Sequence, residues 1–129
     1  MSDIEQAKHV VELMVLTAWA DGHVEGAEAL MIHKLVAGHN ELKDVGPTGD
    51  ISRLTKDRLE RVGLAQAVRE SALALKDPGY RELAFQCCAK VMGADGDFAA
   101  GEADVLASLQ ELFALSASDV KRLLVLATR

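Results

Sequence analysis

The chain has 129 residues, half of them hydrophobic, so it is long and apolar enough to bury one core and is not an intrinsically disordered chain. Its formal net charge of −6 argues against nucleic acid and anionic membrane surfaces as partners, because both attract basic proteins. The N-terminus carries acids where a secretory signal would carry lysines, and the longest apolar run, at 13–20, is shorter than the ~20 residues of a membrane span. We therefore expect a cytoplasmic protein.

The first fifty residues predict two helices and an irregular segment. The sequence SDIE at 2–5 is typical of a capping box and predicts a helix from there to about Trp19. A second helix is expected over 26–37, ended by Gly38 in a left-handed cap. Residues 39–50 contain glycines and Pro47 and form the least regular stretch.

The rest of the chain predicts further helices. Residues 51–75 favour a helix broken near Gly63. Asp77-Pro78 is typical of an N-cap followed by a proline, and the helix it opens has a single polar stripe, which indicates a buried central helix. A helix is expected near 101–114, and SASD at 116–119 predicts a cap for the last one. In that last helix we expect four residues to face the core: Val120, Leu123, Leu124 and Ala127.

No segment has the alternating, β-branched pattern of a strand, so the fold class is all-α. Two similar phrases, ADGHVEGAE at 20–28 and ADGDFAAGE at 94–102, each connect a buried helix to the next helix. The simplest architecture has about seven helices in two pseudo-symmetric helix–loop–helix halves. We expect one domain over 1–129, with halves at roughly 1–50 and 76–129 joined by helices in 51–75.

Each phrase corresponds to the second half of an EF-hand calcium loop. Asp21 and Glu28 fit loop positions 5 and 12, but positions 1 and 3 hold Thr17 and Trp19, which supply no carboxylate. The second copy has the same gap. Two independent EF-hands are therefore excluded.

Two interpretations of these acids remain. In the first they are structural, because an aspartate can accept loop N–H groups and a first-turn glutamate favours a helix N-terminus. In the second the half-loops face each other, and four carboxylates share one cation that offsets their repulsion. Oxygen ligands favour Ca²⁺, Mg²⁺ or Mn²⁺ over Zn²⁺. The carboxylates are Asp21, Glu28, Asp95 and Glu102, with His23 and Asp97 as further ligand candidates.

The facing arrangement makes a structural prediction. Val24 and Phe98, the central apolar residues of the two half-loops, should approach each other or line adjacent loops. His23 taken alone is typical of a solvated loop residue.

Motifs of common enzymes are absent from the sequence. GPTG at 46–49 lacks the lysine of a phosphate-binding loop, and there is no His-Glu-x-x-His zinc motif. Cys87 and Cys88 lie in an apolar helical run and are expected to be buried and reduced. Basic residues are scattered over 53–69 and interspersed with Asp57 and Glu60, which indicates a solvated helix face rather than a nucleic-acid-binding stripe. We expect no enzymatic activity.

The chain resembles the TerB family of tellurite-resistance proteins over essentially its whole length. The resemblance rests on the doubled pattern A-D-G-x-φ-x-x-x-E, in which φ is apolar, on the buried helix before each copy and on the all-helical pattern. The resemblance implies an all-α fold of two similar halves, an acidic cluster proposed to bind metal at the four carboxylates, and a role in cytoplasmic stress responses. It also implies protein partners, among them other tellurite-resistance proteins including a membrane component. The alternative is a helical protein-interaction domain, of the co-chaperone accessory type, whose acids are only caps.

Overall fold

The computed structural model describes residues 2–24, 26–94 and 100–128. In these ranges the chain is helical and contains no β-strand, which confirms the all-α prediction. No helix in the described ranges is both long and apolar enough to cross a bilayer. The helices are α1 (Asp3–Trp19), α2 (Gly26–Gly38), α3 (Thr48–Val62), α4 (Leu64–Ala74), α5 (Pro78–Met92), α6 (Ala100–Leu112) and α7 (Ala117–Ala127).

Helices α1 and α5 form the centre of the molecule and pack against each other more extensively than any other described pair. Both are buried on most of their surface, because their sequences are apolar almost all round. Helices α3 and α4 cover α1, while α7 covers α5. Helices α2 and α6 each contact both members of the central pair. This arrangement brings the starts of α2 and α6, where the predicted acids lie, to the central pair.

Local sequence signals explain most helix boundaries. Ser2 accepts a hydrogen bond from the backbone N–H of Glu5 (3.2 Å), which is the serine half of the predicted capping box. Asp77 accepts from Gly79 N–H (2.7 Å) and Tyr80 N–H at the start of α5. Gly63 separates α3 from α4 with a φ of +85°, a conformation that other residues adopt only with strain. The predicted boundaries at these three places are confirmed.

Two boundary predictions were wrong. Gly38 does not adopt a left-handed conformation and lies in the last turn of α2, where the N–H of His39 still bonds to the carbonyl of Leu35. The left-handed residue is Gly46, with a φ of +92°, directly before Pro47. Because Pro47 already has the extended backbone of an N-cap, α3 starts at Thr48, inside the segment predicted to be irregular.

Helix α7 buries a narrower face than its sequence suggests. Its capping box is present, since the Ser116 hydroxyl accepts from Asp119 N–H and the Asp119 carboxylate accepts from Ser116 N–H. Leu123 is buried, but Leu124 is 38% exposed, contrary to the inward face predicted for it. The difference arises because α7 packs mainly on α5, and among the described residues no second helix packs extensively against it.

Candidate metal centre

The first Asp-Gly turn directly follows α1. The N–H of Gly22 donates to the carbonyl of Trp19 (2.9 Å), and Gly22 has a φ of +95°. The Asp21 carboxylate accepts from the backbone N–H of His23 (3.4 Å) and lies 3.6 Å from the imidazole Nδ1 of that residue. Val24 packs partly buried against the core. The turn therefore has the Asx-type contact and the apolar anchor expected from the sequence.

Glu28 and Glu102 are enclosed by protein, with exposures of 0% and 1%, and among the described residues they are the only acidic side chains buried to this degree. Each is the third residue of its helix, α2 or α6. Burying a carboxylate costs several kcal/mol unless hydrogen bonds or a cation compensate it. These two glutamates therefore occupy positions where the charge has to be stabilised locally.

Helix capping alone does not require this burial. Glu5 and Asp119 are also the third residues of their helices, α1 and α7. Each is hydrogen-bonded at the surface to the serine that caps its helix, Ser2 or Ser116. The acids that end the two A-D-G phrases differ from them in being enclosed. Burial, rather than position in the helix, distinguishes the repeat's glutamates from ordinary caps.

The start of α6 contacts the beginning of the first A-D-G phrase through Gly101. A Cβ atom placed on Gly101 would lie 2.5 Å from the carbonyl oxygen of Ala20, so the backbone of α6 runs directly against the turn that follows α1. Helix α6 also contacts α1, as α2 contacts α5. Glu102, next to Gly101, is thus carried on a backbone that touches the residue preceding Asp21.

Several predicted site residues lie outside the described part of the chain. These are Asp95, Asp97 and Phe98. The predicted approach of Val24 to Phe98 therefore lies outside the described residues, as does about half of the second A-D-G phrase, at 94–102. Within the described ranges no group of three or more histidine, cysteine or acidic side chains is placed to hold a metal ion. Asp21, Glu28 and Glu102 do not form such a group by themselves. The four-carboxylate cluster remains a prediction. The imidazole of His23 is 62% exposed, as expected for a solvated loop residue.

The structure also shows a polar cluster between α1, α3 and α4 that the sequence did not reveal. Arg58 Nη2 donates to the Ser71 hydroxyl (2.6 Å), which donates to Glu12 Oε1 (3.0 Å). His9 Nδ1 lies 2.8 Å from the same Glu12 oxygen. Arg58 was expected on a solvated face, but its side chain is only 20% exposed. The i, i+3 spacing of His9 and Glu12 was the one local signal, and the partners from other helices could not be inferred from it.

The charge of Glu12 is stabilised by this cluster. Burial raises its pKa, but the hydrogen bond and charge of His9, the hydrogen bond from Ser71 and the charge of Arg58 outweigh burial, so the pKa falls below its ordinary value of 4.5. The cluster fastens α3 and α4 to the central helix α1.

The two cysteines are buried and form no disulfide, as predicted. Burial raises the pKa of the Cys88 thiol to about 12 and raises that of Cys87 as well. Both thiols are therefore protonated at neutral pH and do not act as thiolate ligands or nucleophiles in this fold.

Comparison with known protein families matches residues 11–125 to the family described as "Tellurite resistance protein TerB". Searches among curated proteins and among solved structures gave no significant match. The matched range runs from α1 into α7 and includes both A-D-G phrases. The chain belongs to the TerB family of tellurite-resistance proteins.

Proposed function

We propose that this protein is a non-enzymatic module of the tellurite-resistance type that holds one divalent cation between its two Asp-Gly turns. The ligands would be Asp21, Glu28, Asp95 and Glu102, with His23 and Asp97 as further candidates. The observation that carries the proposal is the full burial of Glu28 and Glu102 at equivalent places in the repeat. A cation shared by two such carboxylates offsets both their desolvation and their mutual repulsion.

The ligand chemistry narrows the choice of ion. Carboxylate oxygens are the ligands that Ca²⁺, Mg²⁺ and Mn²⁺ prefer, whereas Zn²⁺ more often takes nitrogen or sulfur. The two cysteines are buried in the α1–α5 core with protonated thiols and belong to neither Asp-Gly turn. When bound, the ion would supply positive charge that ties the α1–α2 turn to the start of α6. We assign it a structural or sensory role in a cytoplasmic stress response.

The second candidate function is a helical protein-interaction domain whose acids are only structural. The contact that favours it is the hydrogen bond from His23 N–H to Asp21, which occupies one Asp21 oxygen as an Asx-turn does. Under either function we propose protein partners, including other tellurite-resistance proteins and a membrane component of that system.

Titration calorimetry distinguishes the two functions. The metal-free protein is titrated with Ca²⁺, Mg²⁺, Mn²⁺ and Zn²⁺, and we expect saturable binding of one oxygen-preferring ion per chain. Glu28→Gln and Glu102→Gln should each weaken that binding by about tenfold or more, because each removes a charged ligand.

The matched control is Glu5→Gln, which changes the third residue of α1, an exposed glutamate hydrogen-bonded to the N-cap Ser2. It should leave ion binding unchanged. If no ion binds the wild-type protein with saturation, or if all three variants bind alike, the cation proposal is wrong and the interaction domain is the better assignment.

A further inference from the structure

An open apolar groove runs between α2, α5 and α7. Its volume is about 820 Å³, and Asp21, Glu28 and Glu102 are not among the residues that line it. Each of the three helices contributes apolar residues to its walls. The residues that form them include Met31 and Leu35 on α2, Ala89 and Met92 on α5, and Leu124 and Ala127 on α7.

The internal repeat shows what kind of structure fits this groove. Helices α2 and α6 start at 26 and 100 and end at 38 and 112, so both ends are displaced by the same 74 positions. Helices α1 and α5 correspond in the same way to within one residue. Helix α7 packs on α5 as both α3 and α4 pack on α1. Because α4 also packs on α6, whereas α7 does not pack extensively on the equivalent helix α2, the counterpart of α7 is α3. The described helices thus form two equivalent sets, α1–α2–α3 and α5–α6–α7.

Helix α4 has no counterpart in this scheme. It packs against α1, α3 and α6. The equivalent helices of the other set are α5, α7 and α2, and these are the three walls of the groove. The groove is therefore the place where a helix equivalent to α4 would lie, and the described chain supplies none there.

We propose that this groove binds one amphipathic α-helix of a partner protein, and that the helix carries acidic residues beside its apolar face. The charged side chains among the lining residues are two lysines, Lys34 on α2 and Lys90 on α5. They make this a basic-edged groove on a protein whose net charge is −6. Opposite charges across an interface favour the matching partner and disfavour basic ones.

Helix α4 is the template for the expected partner. It buries Ala67, Val68, Ser71 and Ala72, a face of small residues at i, i+1, i+4 and i+5. Beside that face, Glu70 accepts a hydrogen bond from Arg58 of α3 at 3.0 Å. In the groove, Lys34 and Lys90 would meet acidic residues of the partner helix in a comparable way. Small apolar residues let two helix axes approach closely. A partner helix with such a face could therefore lie in the groove, as in other complexes in which an amphipathic helix binds a hydrophobic groove.

A second copy of this chain is a poorer occupant. The chain's own helix of the required shape is α4, and it is already seated on α1 and α6 with four residues buried. A second copy could offer α4 only by releasing it from that position. A helix from a different protein carries no such cost.

The test uses a helical probe built on α4. The acidic probe is a fluorescein-labelled peptide of residues 63–75 carrying Gln66→Glu, with a hydrocarbon staple joining positions 65 and 69. The basic probe carries Gln66→Lys and Glu70→Lys instead, so the two differ only in charge at two exposed positions. We expect the acidic probe to bind the wild-type protein saturably in fluorescence polarisation, and the basic probe to bind about tenfold more weakly or less.

Variants of the protein locate the binding site. Leu124→Glu, at a 38% exposed groove residue, should weaken the acidic probe by about tenfold or more, whereas the control Leu54→Glu, at a 59% exposed residue of α3, should not. The double variant Lys34→Glu, Lys90→Glu should reverse the preference and favour the basic probe. Thr128→Glu, at an exposed lining residue, gives a second groove variant if Leu124→Glu fails to fold.

The proposal is overturned if the acidic probe does not bind with saturation, or if the groove variants bind it as well as Leu54→Glu does. Sedimentation adds a separate outcome. If the wild-type protein is a dimer that Leu124→Glu converts to a monomer, a second copy occupies the groove and the assignment to a partner protein is wrong.

Discussion

Gly101 allows the backbone of α6 to lie in close contact with the turn that follows α1. With no Cβ, it lets α6 lie against the Ala20 carbonyl, where an added methyl group would be 2.5 Å from the oxygen. We predict that Gly101→Ala lowers the free energy of unfolding by about 1–3 kcal/mol, because backbone atoms must shift to admit the methyl group. Urea denaturation of both proteins measures the change.

Gly38→Ala is the matched control for that prediction. Gly38 lies in the last turn of α2 with an ordinary φ, and a Cβ there would meet nothing within 4 Å. Alanine should be neutral or stabilising by up to about 1 kcal/mol, since it loses less backbone entropy on folding. Equal effects of the two substitutions would show that the contact between Gly101 and Ala20 does not constrain the fold.

Glu12 gives the protein a defined response to acid. Its pKa in the folded state lies below the ordinary value of 4.5, so its contribution to stability is complete above that pH and is lost as the pH falls below it. We predict that Glu12→Gln destabilises the protein by about 1–3 kcal/mol at pH 7, since Arg58 and Ser71 lose a charged partner. The difference from wild type should shrink as urea titrations are repeated from pH 6 down to pH 3.

The control for Glu12 is Glu60→Gln, which removes an exposed i, i+4 pair with Lys56. A surface pair of this kind contributes ~0.5 kcal/mol or less, so the variant should follow the wild-type pH curve. A constant difference between Glu12→Gln and wild type at every pH would contradict the role assigned to the carboxylate's charge.

Among the helices, α7 depends most clearly on its cap, because its buried face is narrow and its other flank borders the groove. We predict that Ser116→Ala lowers the free energy of unfolding by about 1 kcal/mol, since it removes the side-chain half of the capping box. Ser118→Ala, two positions on and exposed, is the control and should have little effect. Hydrogen exchange of the α7 amides should accelerate in the first variant alone if the helix opens locally.

The helices could be predicted from sequence wherever a local signal defined them. Asp77-Pro78, the serine capping boxes and the glycine between α3 and α4 each act through neighbouring residues, so their effect is visible in the sequence. The exposure of Leu124 and the partial burial of Arg58 depend on which distant helix packs nearby. No local pattern contains that information.

For the acidic residues too, local sequence predicted some features, while others depend on how distant helices pack. The repeated phrase was sufficient to pick out Glu28 and Glu102, and the Asp-Gly turn has the geometry expected of it. That both glutamates are enclosed could not be derived from spacing, because a first-turn glutamate such as Glu5 can equally face solvent. Their burial follows from how α2 and α6 each lie across the central pair.

At the scale of the whole molecule, the proposed cation would connect the two equivalent helix sets. A ligand that binds only the folded state stabilises it by RT ln(1 + [L]/Kd), which is about 2.7 kcal/mol when the free ion is at a hundred times its Kd. For a chain of this size that corresponds to a rise in melting temperature of roughly 10 °C. The increase should disappear when a chelator is added.

The sign of one substitution separates a cation site from a pair of helix caps. If Glu102 shares an ion with the other carboxylates, Glu102→Gln should abolish the ion-dependent rise, yet in chelator it should melt above the wild-type protein, because repulsion among clustered carboxylates is relieved. If Glu102 only caps α6, the substitution should cost little in either condition, since a glutamine can also accept a backbone N–H. Thermal unfolding of wild type, Glu102→Gln and the exposed-cap variant Glu5→Gln, each with chelator and with each divalent ion, measures both effects. If the melting curves of all three proteins are insensitive to every ion, Glu102 is a buried helix cap and the proposed cation site is wrong.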